Sequence, residues 1–323
     1  MSKTITVVGA TGIQGGSVIR ALLADQTSPY AIRAITRDPN SPAAQALSNH
    51  GVDVVKADLH HLSSLIDAFQ GSHAIFAVTN FFENLPTQGV EGAMRIETDL
   101  GINLAKAAAA THTLEHYIWS TLPNSRMNSS GNAVVPYYES KNRVDDYIRS
   151  LPELHRRTTF VWFGWYTGNL AVPIYRPVKI PSLDGEDRSV ILLNVEPETK
   201  FPILGDENVN PGLFVKAILE QPEKSLPGRC VSGTIAQTAF ADVVGVLSKV
   251  KGVDVRPLQV RREDYAALWP GWGQLLELSH YYLSVAEERA FEGADESVVT
   301  AEDLRVEGLV SLEEALKGLD LPV

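Results

Sequence analysis

The 323-residue sequence predicts an α/β protein: a doubly wound parallel sheet carrying a smaller C-terminal α+β lobe. Three observations lead there. Strand and helix signals alternate through the first half with short connections, the pattern of consecutive βαβ units. Several strand segments are apolar nearly throughout, as strands are when helices cover both faces of a sheet. The first strand also runs straight into spaced glycines and an amphipathic helix, in TITVVGATGIQGGSVIRALL at residues 4–23.

The predicted elements follow in order. Strand 4–9 and helix 13–25 lead to strand 32–36, then to a helix that Ser41 caps with Pro42 at its first position. Gly51 precedes strand 52–56, and helix 62–69 stops at Gly71. Strand 74–78, helix 91–110, strand 116–120, helix 138–149 and strand 158–164 complete the alternation. After Gly164 the rhythm is lost. Residues 165–185 carry Pro173, Pro177 and Pro181. Segments 190–195, 228–232 and 253–260 read as extended; 211–220, 240–250 and 274–291 read as helical. Ser311 and Glu314 make a capping box before a last helix. No repeat, low-complexity tract or long linker appears. The expectation is a sheet domain over 1–165 and a lobe over 166–323 packed on the sheet's carboxyl edge, with parts of it returning to the main sheet. That edge is where open α/β sheets bind ligands.

Composition narrows the function. A formal net charge of −11 argues against nucleic acid, whose binding depends on clustered Lys and Arg. The single cysteine, Cys230, excludes an internal disulfide framework and is expected as a buried, inert thiol. No charged n-region with an apolar h-region and no apolar run of 18 or more residues is present, so no membrane association and a cytoplasmic location are expected. His60-His61 lacks Cys or carboxylate at ligand spacing, so no metal is assigned.

The glycines Gly9, Gly12 and Gly15 carry the first functional inference. Gly9 permits a tight turn, Gly12 lets backbone approach a pyrophosphate, and Gly15 lets the helix pack close to the strand. The helix N-terminus offers unpaired N–H groups and a positive dipole end. A Rossmann-type dinucleotide site therefore includes Gly9, Thr11, Gly12, Ile13, Gln14 and Gly15. Strand 32–36 ends in Arg37 rather than a carboxylate, and a guanidinium there suits the 2′-phosphate of NADP(H) over the bare ribose of NAD(H). Asp38, held extended before Pro39, points away. Asp58 is placed either to reach the adenine edge or to cap the following helix. Thr79 and Asn80, after strand 74–78, belong beside the nicotinamide.

The candidate chemistry lies further on. Strand 116–120 ends in Ser120-Thr121, and Tyr137 and Lys141 fall four apart on one helical face behind Pro136. An ammonium near a phenol lowers its pKa, and the same ammonium can hold ribose hydroxyls. Tyr137 as proton donor, Lys141 as tuner and cofactor ligand, and Ser120 or Thr121 bonding a substrate oxygen would serve hydride transfer. The competing reading packs Tyr137 at a helix start. Phe81 or Phe82 could wall a substrate pocket or fill core. Tyr166 and Asn169 leave the carboxyl end of strand 158–164 and are the better pocket positions among the many aromatics, most of which read as core.

At these residues the chain resembles the NmrA-like family, an atypical branch of the short-chain dehydrogenase/reductases. The likeness rests on GATGIQG (9–15), AVTNFF (77–82), HYIWSTLP (116–123), ESKNRVDDYI (139–148) and VWFGWYTGNL (161–170), and covers about 1–235 well. It implies a Rossmann domain, a small substrate lobe, and dinucleotide held by the glycine loop, Arg37 and Lys141. The family includes NADP-dependent reductases and non-catalytic redox sensors that bind a partner protein. The sensors keep the lysine and lack the tyrosine, so Tyr137 favours an enzyme, while its long spacing from Ser120 departs from the usual triad. Three readings follow. The first is an NADP(H)-dependent oxidoreductase acting on a small, aromatic or polyketide-like carbonyl, imine or activated alkene, as a monomer or homodimer. The second is a dinucleotide-sensing regulator of a partner protein. The third is a redox-neutral isomerase or cyclase.

Overall fold

The structure, a computed structural model, describes residues 3–181, 185, 188–291 and 298–321. Its first half runs β1 (Lys3–Val7), α1 (Ile13–Ala24), β2 (Tyr30–Thr36), α2 (Pro42–Asn49), β3 (Asp53–Lys56), α3 (Leu62–Phe69), β4 (Ala74–Ala77), α4 (Phe81–Ala109) and β5 (His116–Thr121). Then come α5 (Ser125–Asn128), α6 (Pro136–Arg149), α7 (Pro152–His155) and β6 (Thr158–Phe163). The remainder is β7 (Trp165–Tyr166), β8 (Val178–Ile180), β9 (Arg188–Leu193), β10 (Lys200–Gly205), α8 (Asn210–Glu220), α9 (Pro222–Ser225), β11 (Cys230–Gly233) and β12 (Ala236–Ala239). It ends with α10 (Phe240–Lys251), β13 (Asp254–Gln259), α11 (Arg262–Leu268), α12 (Gly273–Ala286) and α13 (Leu312–Gly318).

Seven parallel strands make the main sheet in the order β11-β6-β5-β4-β1-β2-β3. The chain winds outward from β1 to β3, returns beside β1 as β4, and winds the other way. Ile5 of β1 faces Ile32 on one side and Ala74 on the other. The carboxyl ends of β1 and β4 therefore border the switch point, where such sheets open a ligand crevice.

Helices cover both faces of the sheet. Val18 and Ile19 of α1 pack with Phe214 and Ile218 of α8 on one side, and Leu65, Leu104, Val144 and Ile148 on the other. All six residues of β5 and of β6 are buried, as expected of strands covered by helices on both faces. The Ser17 hydroxyl fixes α1 against α8, donating to the Val209 carbonyl at 2.9 Å and accepting from Gly212 N at 2.8 Å. Two three-stranded sheets, β12-β10-β7 and β13-β9-β8, surround a third core built on Phe201, Phe240, Tyr265 and Tyr282. Among the described residues no helix is long and apolar enough to cross a membrane.

Two expectations are corrected, and one strand pair is added to them. The helix expected from 91 begins at Phe81, because the Asn80 side chain accepts from Phe82 N at 3.1 Å and caps it; Gly89, at φ +64°, then breaks it in two. Strands β10 and β12, which had no sequence signal, pair antiparallel. Cys230 is only partly buried, since β11 is the edge strand.

Candidate dinucleotide site

The turn after β1 meets the backbone requirements of a phosphate cradle. Gly9 adopts φ +67°, and Gly12 N donates to Gly9 O at 2.9 Å, closing the turn. A Cβ on Gly15 would run into the Gly9 carbonyl, whereas one on Gly12 would lie 3.2 Å from it. Gly12 is the N-cap of α1, and no side chain caps that end. Its first-turn N–H groups are left open to an anion. Gly9, Thr11, Gly12 and Ile13 are exposed. Gln14 turns inward and links three elements: its amide donates to the Tyr166 hydroxyl at 2.6 Å and accepts from the Ser120 hydroxyl at 2.7 Å.

Across the switch point, Lys141 is buried in a polar cluster. Its Nζ donates to the Thr79 carbonyl at 3.1 Å and hydroxyl at 3.0 Å and pairs with Glu97 Oε1 at 3.1 Å. It also lies 5.3 Å from the centre of the Trp119 ring, within cation–π range. Glu97, fully buried on α4, further accepts from the Thr79 hydroxyl at 2.8 Å and from the Ser140 hydroxyl. A second buried carboxylate follows one turn after Lys141. Asp145 accepts from Trp119 Nε1 at 2.8 Å and the Thr121 hydroxyl at 2.9 Å, and burial pushes its pKa up to about 6. Neither acid was singled out from the sequence. The available signal was a carboxylate on an apolar stripe, Glu97 with Ala93, Leu100 and Leu104, and Asp145 with Val144 and Ile148.

Ser120, Tyr137 and Lys141 do not form a hydrogen-bonded triad. Ser120 bonds Gln14, Lys141 bonds Glu97 and Thr79, and Tyr137 sits among Phe81, Phe82 and Tyr138 with the Ser279 hydroxyl of α12 beside its own. The expected lowering of the phenol pKa by Lys141 is reversed. Burial among Phe81, Phe82 and Tyr138 pushes Tyr137 up to about 12, and the Ser279 hydrogen bond offsets only part of that. Thr121 serves Asp145 rather than a pocket. Tyr166, also raised to about 12 by burial, keeps its hydroxyl on Gln14. Asn169 lies, partly buried, in the short turn Thr167–Ala171.

At the other end of the crevice Arg37 is exposed at the tip of β2, paired at 2.6 Å with Glu83 in the first turn of α4. The Asp58 side chain accepts from His60 N at 3.0 Å and meets His61 at 3.3 Å, so it is engaged in its own turn before α3. Phe81 is buried; Phe82 is partly exposed and stacks on Trp272. An uncapped helix N-terminus, an exposed guanidinium at the second strand and a buried ammonium at the fourth form a donor set that fits a dinucleotide phosphate and its riboses.

A family model for the NmrA-like family matches residues 1–316. The chain belongs to the NmrA-like family. Among curated relatives, the NmrA-like family domain-containing oxidoreductase hkm9 of Aspergillus hancockii is 33% identical over 177 residues, 55% of this chain and 50% of that one. The chain thus spans about half the length of hkm9 where the two match. An NmrA-like family domain-containing protein of Dictyostelium discoideum is 27% identical over 325 residues, 99% of each chain. The solved structure of NmrA, a negative transcriptional regulator, in complex with NADP superposes with TM-score 0.73 at 22% identity, over 99% of this chain and 96% of that one. At that identity the likeness is one of fold.

Proposed function

We propose that this NmrA-like chain is an NADP(H)-dependent oxidoreductase that reduces a small, aromatic or polyketide-like carbonyl, imine or activated alkene. The observation that carries the reading is Lys141, an ammonium held at the carboxyl end of β4 by Thr79 and Glu97, across the switch point from the open N-terminus of α1. A bound NADP(H) supplies the hydride. The first-turn N–H groups after Gly12 would hold its pyrophosphate, Arg37 its 2′-phosphate, and Lys141 with Thr79 the nicotinamide ribose. Asn80 serves that segment as the cap of α4. Tyr137 keeps its proton up to about pH 12, so at neutral pH it is equipped to donate one, as reduction of a carbonyl requires, and not to remove one. The name of hkm9 as an oxidoreductase supports the same reading. The alternative, a non-catalytic NADP(H)-sensing regulator with a partner protein, is favoured by the separation of Tyr137 from Lys141.

The test is NADPH oxidation, followed by its near-ultraviolet absorbance, over a panel of ketones, quinones and imines. Tyr137→Phe should keep NADPH affinity and lose about 10²–10⁴-fold in turnover. Lys141→Ala should weaken NADPH as well. No turnover with any substrate, together with weaker NADPH in Lys141→Ala, would make the regulator the better reading.

A further inference from the structure

One turn before Lys141 on α6, Tyr137 belongs to an aromatic cluster with Phe81, Phe82 and Trp272. Phe82, the second residue of α4, and Trp272, just before α12, stack with ring centres 5.1 Å apart and planes 6° from parallel. Tyr137 closes one side, 5.2 Å from Phe82 and tilted by 51°, and Phe81 packs edge-on at 5.5 Å. Leu85, Ala93 and Leu275 back them. The charges nearby are spoken for, Glu83 by Arg37 and Lys141 by Glu97. The Tyr137 hydroxyl, with the Ser279 hydroxyl beside it, and the Trp272 indole N–H are polar groups of this cluster. Trp272 is 40% exposed although it is one of the largest apolar side chains. It follows Gly271, which takes φ +84°, and the ring it covers is that of Phe82 in the first turn of α4.

We propose that Phe82 and Trp272 are an aromatic clamp for a flat, uncharged, conjugated ring carbonyl, and that Trp272 is the residue that sets this specificity. The proposal rests on the reading of the chain as an oxidoreductase and names its substrate class. Two nearly parallel rings separate into a slot with parallel walls when Trp272 moves by about one ring thickness, roughly 3.5 Å. A planar ring filling that slot exchanges one stacked pair for two. A puckered aliphatic ring of equal size touches both walls with fewer atoms. A charged ring would be left unpaired among Phe81, Leu85 and Leu275, which is costly. One carbonyl oxygen can accept from the Tyr137 hydroxyl, since the Ser279 hydroxyl already donates to the Leu276 carbonyl at 2.9 Å.

The experiment uses the full chain saturated with NADP+, so that nothing turns over, and titrates duroquinone (flat) and menthone (puckered) by calorimetry. Wild type should bind duroquinone at least about 10-fold tighter than menthone. Trp272→Ala should weaken duroquinone about 10-fold and leave menthone unchanged, while Trp272→Phe, which keeps a stacking ring, should stay within about 3-fold of wild type. NADP+ affinity should be the same in all three proteins. The clamp is refuted if wild type binds NADP+ but not duroquinone, if Trp272→Ala binds duroquinone as wild type does, or if it loses both ligands equally, as a merely structural stack would. Failure of wild type to bind NADP+ at all would instead overturn the oxidoreductase reading on which the clamp stands.

Discussion

Glu97 is the sharpest place to perturb this protein, because it is fully buried and holds the only cation in its cluster. Glu97→Gln keeps the shape and one acceptor oxygen, replaces the other by an N–H donor, and removes the charge that faces Lys141. Both partners are shielded from water, so solvent screening does not soften the loss. Breaking a buried ion pair by removing one side costs about 3–5 kcal/mol, since the remaining charge is stranded. Unfolding entropy near about 2.1 cal/mol/K per residue gives roughly 0.7 kcal/mol/K for this length, so the melting temperature should fall by about 4–7 °C. Lys141→Met should cost a similar amount, because it strands the carboxylate. The double variant should recover about half of the summed loss, since neither charge is then left alone. Differential scanning calorimetry without cofactor reads all three. A Glu97→Gln protein melting within about 1 °C of wild type, or a double variant showing the full sum of the single losses, would refute the coupling.

Other outcomes follow from the same geometry. Arg37→Ala should weaken NADPH about 10- to 150-fold and NADH little, by fluorescence titration; Glu83→Gln, which frees Arg37 from its exposed partner, should tighten NADPH by about 2- to 5-fold. Equal loss of both dinucleotides in Arg37→Ala would remove Arg37 from the 2′-phosphate. Gly12→Val should abolish cofactor binding with a near-native melting temperature, whereas Gly15→Val, whose Cβ meets backbone, should fail to fold; a folded, NADPH-binding Gly12→Val would make the turn merely structural. Acid should destabilise the protein. Burial holds His116 down to about 4 and His280 down to about 3, so below the ordinary imidazole value near 6.5 the unfolded chain takes up protons that the folded chain refuses. Their stabilisation is complete above that value and is lost as pH falls. Asp145, raised to about 6, works the other way: its burial penalty is present above that pH and relieved towards its ordinary value near 4. Glu207, also raised by burial, opposes the histidines as Asp145 does, but the two fully buried imidazoles are shifted further, so the net effect between roughly pH 6 and 4 is a loss of stability. A melting temperature that rises from pH 7 to 5 would contradict this.

What was legible in the sequence is what the backbone decides locally. The glycine turn, the alternation of strands and helices and the capping box at Ser311 each depend on residues within a few positions. What was illegible has identifiable causes. Pro86 and Gly89 look like helix breakers, and Gly89 is one; Asn80, by capping α4 at Phe82, starts a helix ahead of both. β10 carries Pro202, which removes a ladder bond from a strand and gives the segment no strand signal; it lies opposite Gln237 in the β10–β12 pair. The buried polar clusters join side chains far apart in the chain, Lys141 with Thr79 and Glu97, Ser120 with Gln14, and no periodicity within one element announces such partners.

The Tyr137–Lys141 spacing shows where pattern and structure part. Four residues on a helix place two Cβ atoms on one face, and both residues do pack against α4, Lys141 through Glu97 and Tyr137 through Phe81 and Phe82. Side-chain length and chemistry then separate their tips. The ammonium finds the one buried carboxylate within reach, Glu97, and the phenol ring finds the aromatic rings of Phe81, Phe82 and Tyr138. Cofactor grip and proton supply, joined in one pair by the sequence, thus occupy two environments: a charged, fully bonded polar cluster and an apolar wall. A phenol in the second environment stays protonated because burial disfavours its anion. It becomes a better donor only when negative charge develops on an oxygen beside it. Under the proposed reduction, Lys141 would act on where the ligand sits, and Tyr137 on when its proton leaves.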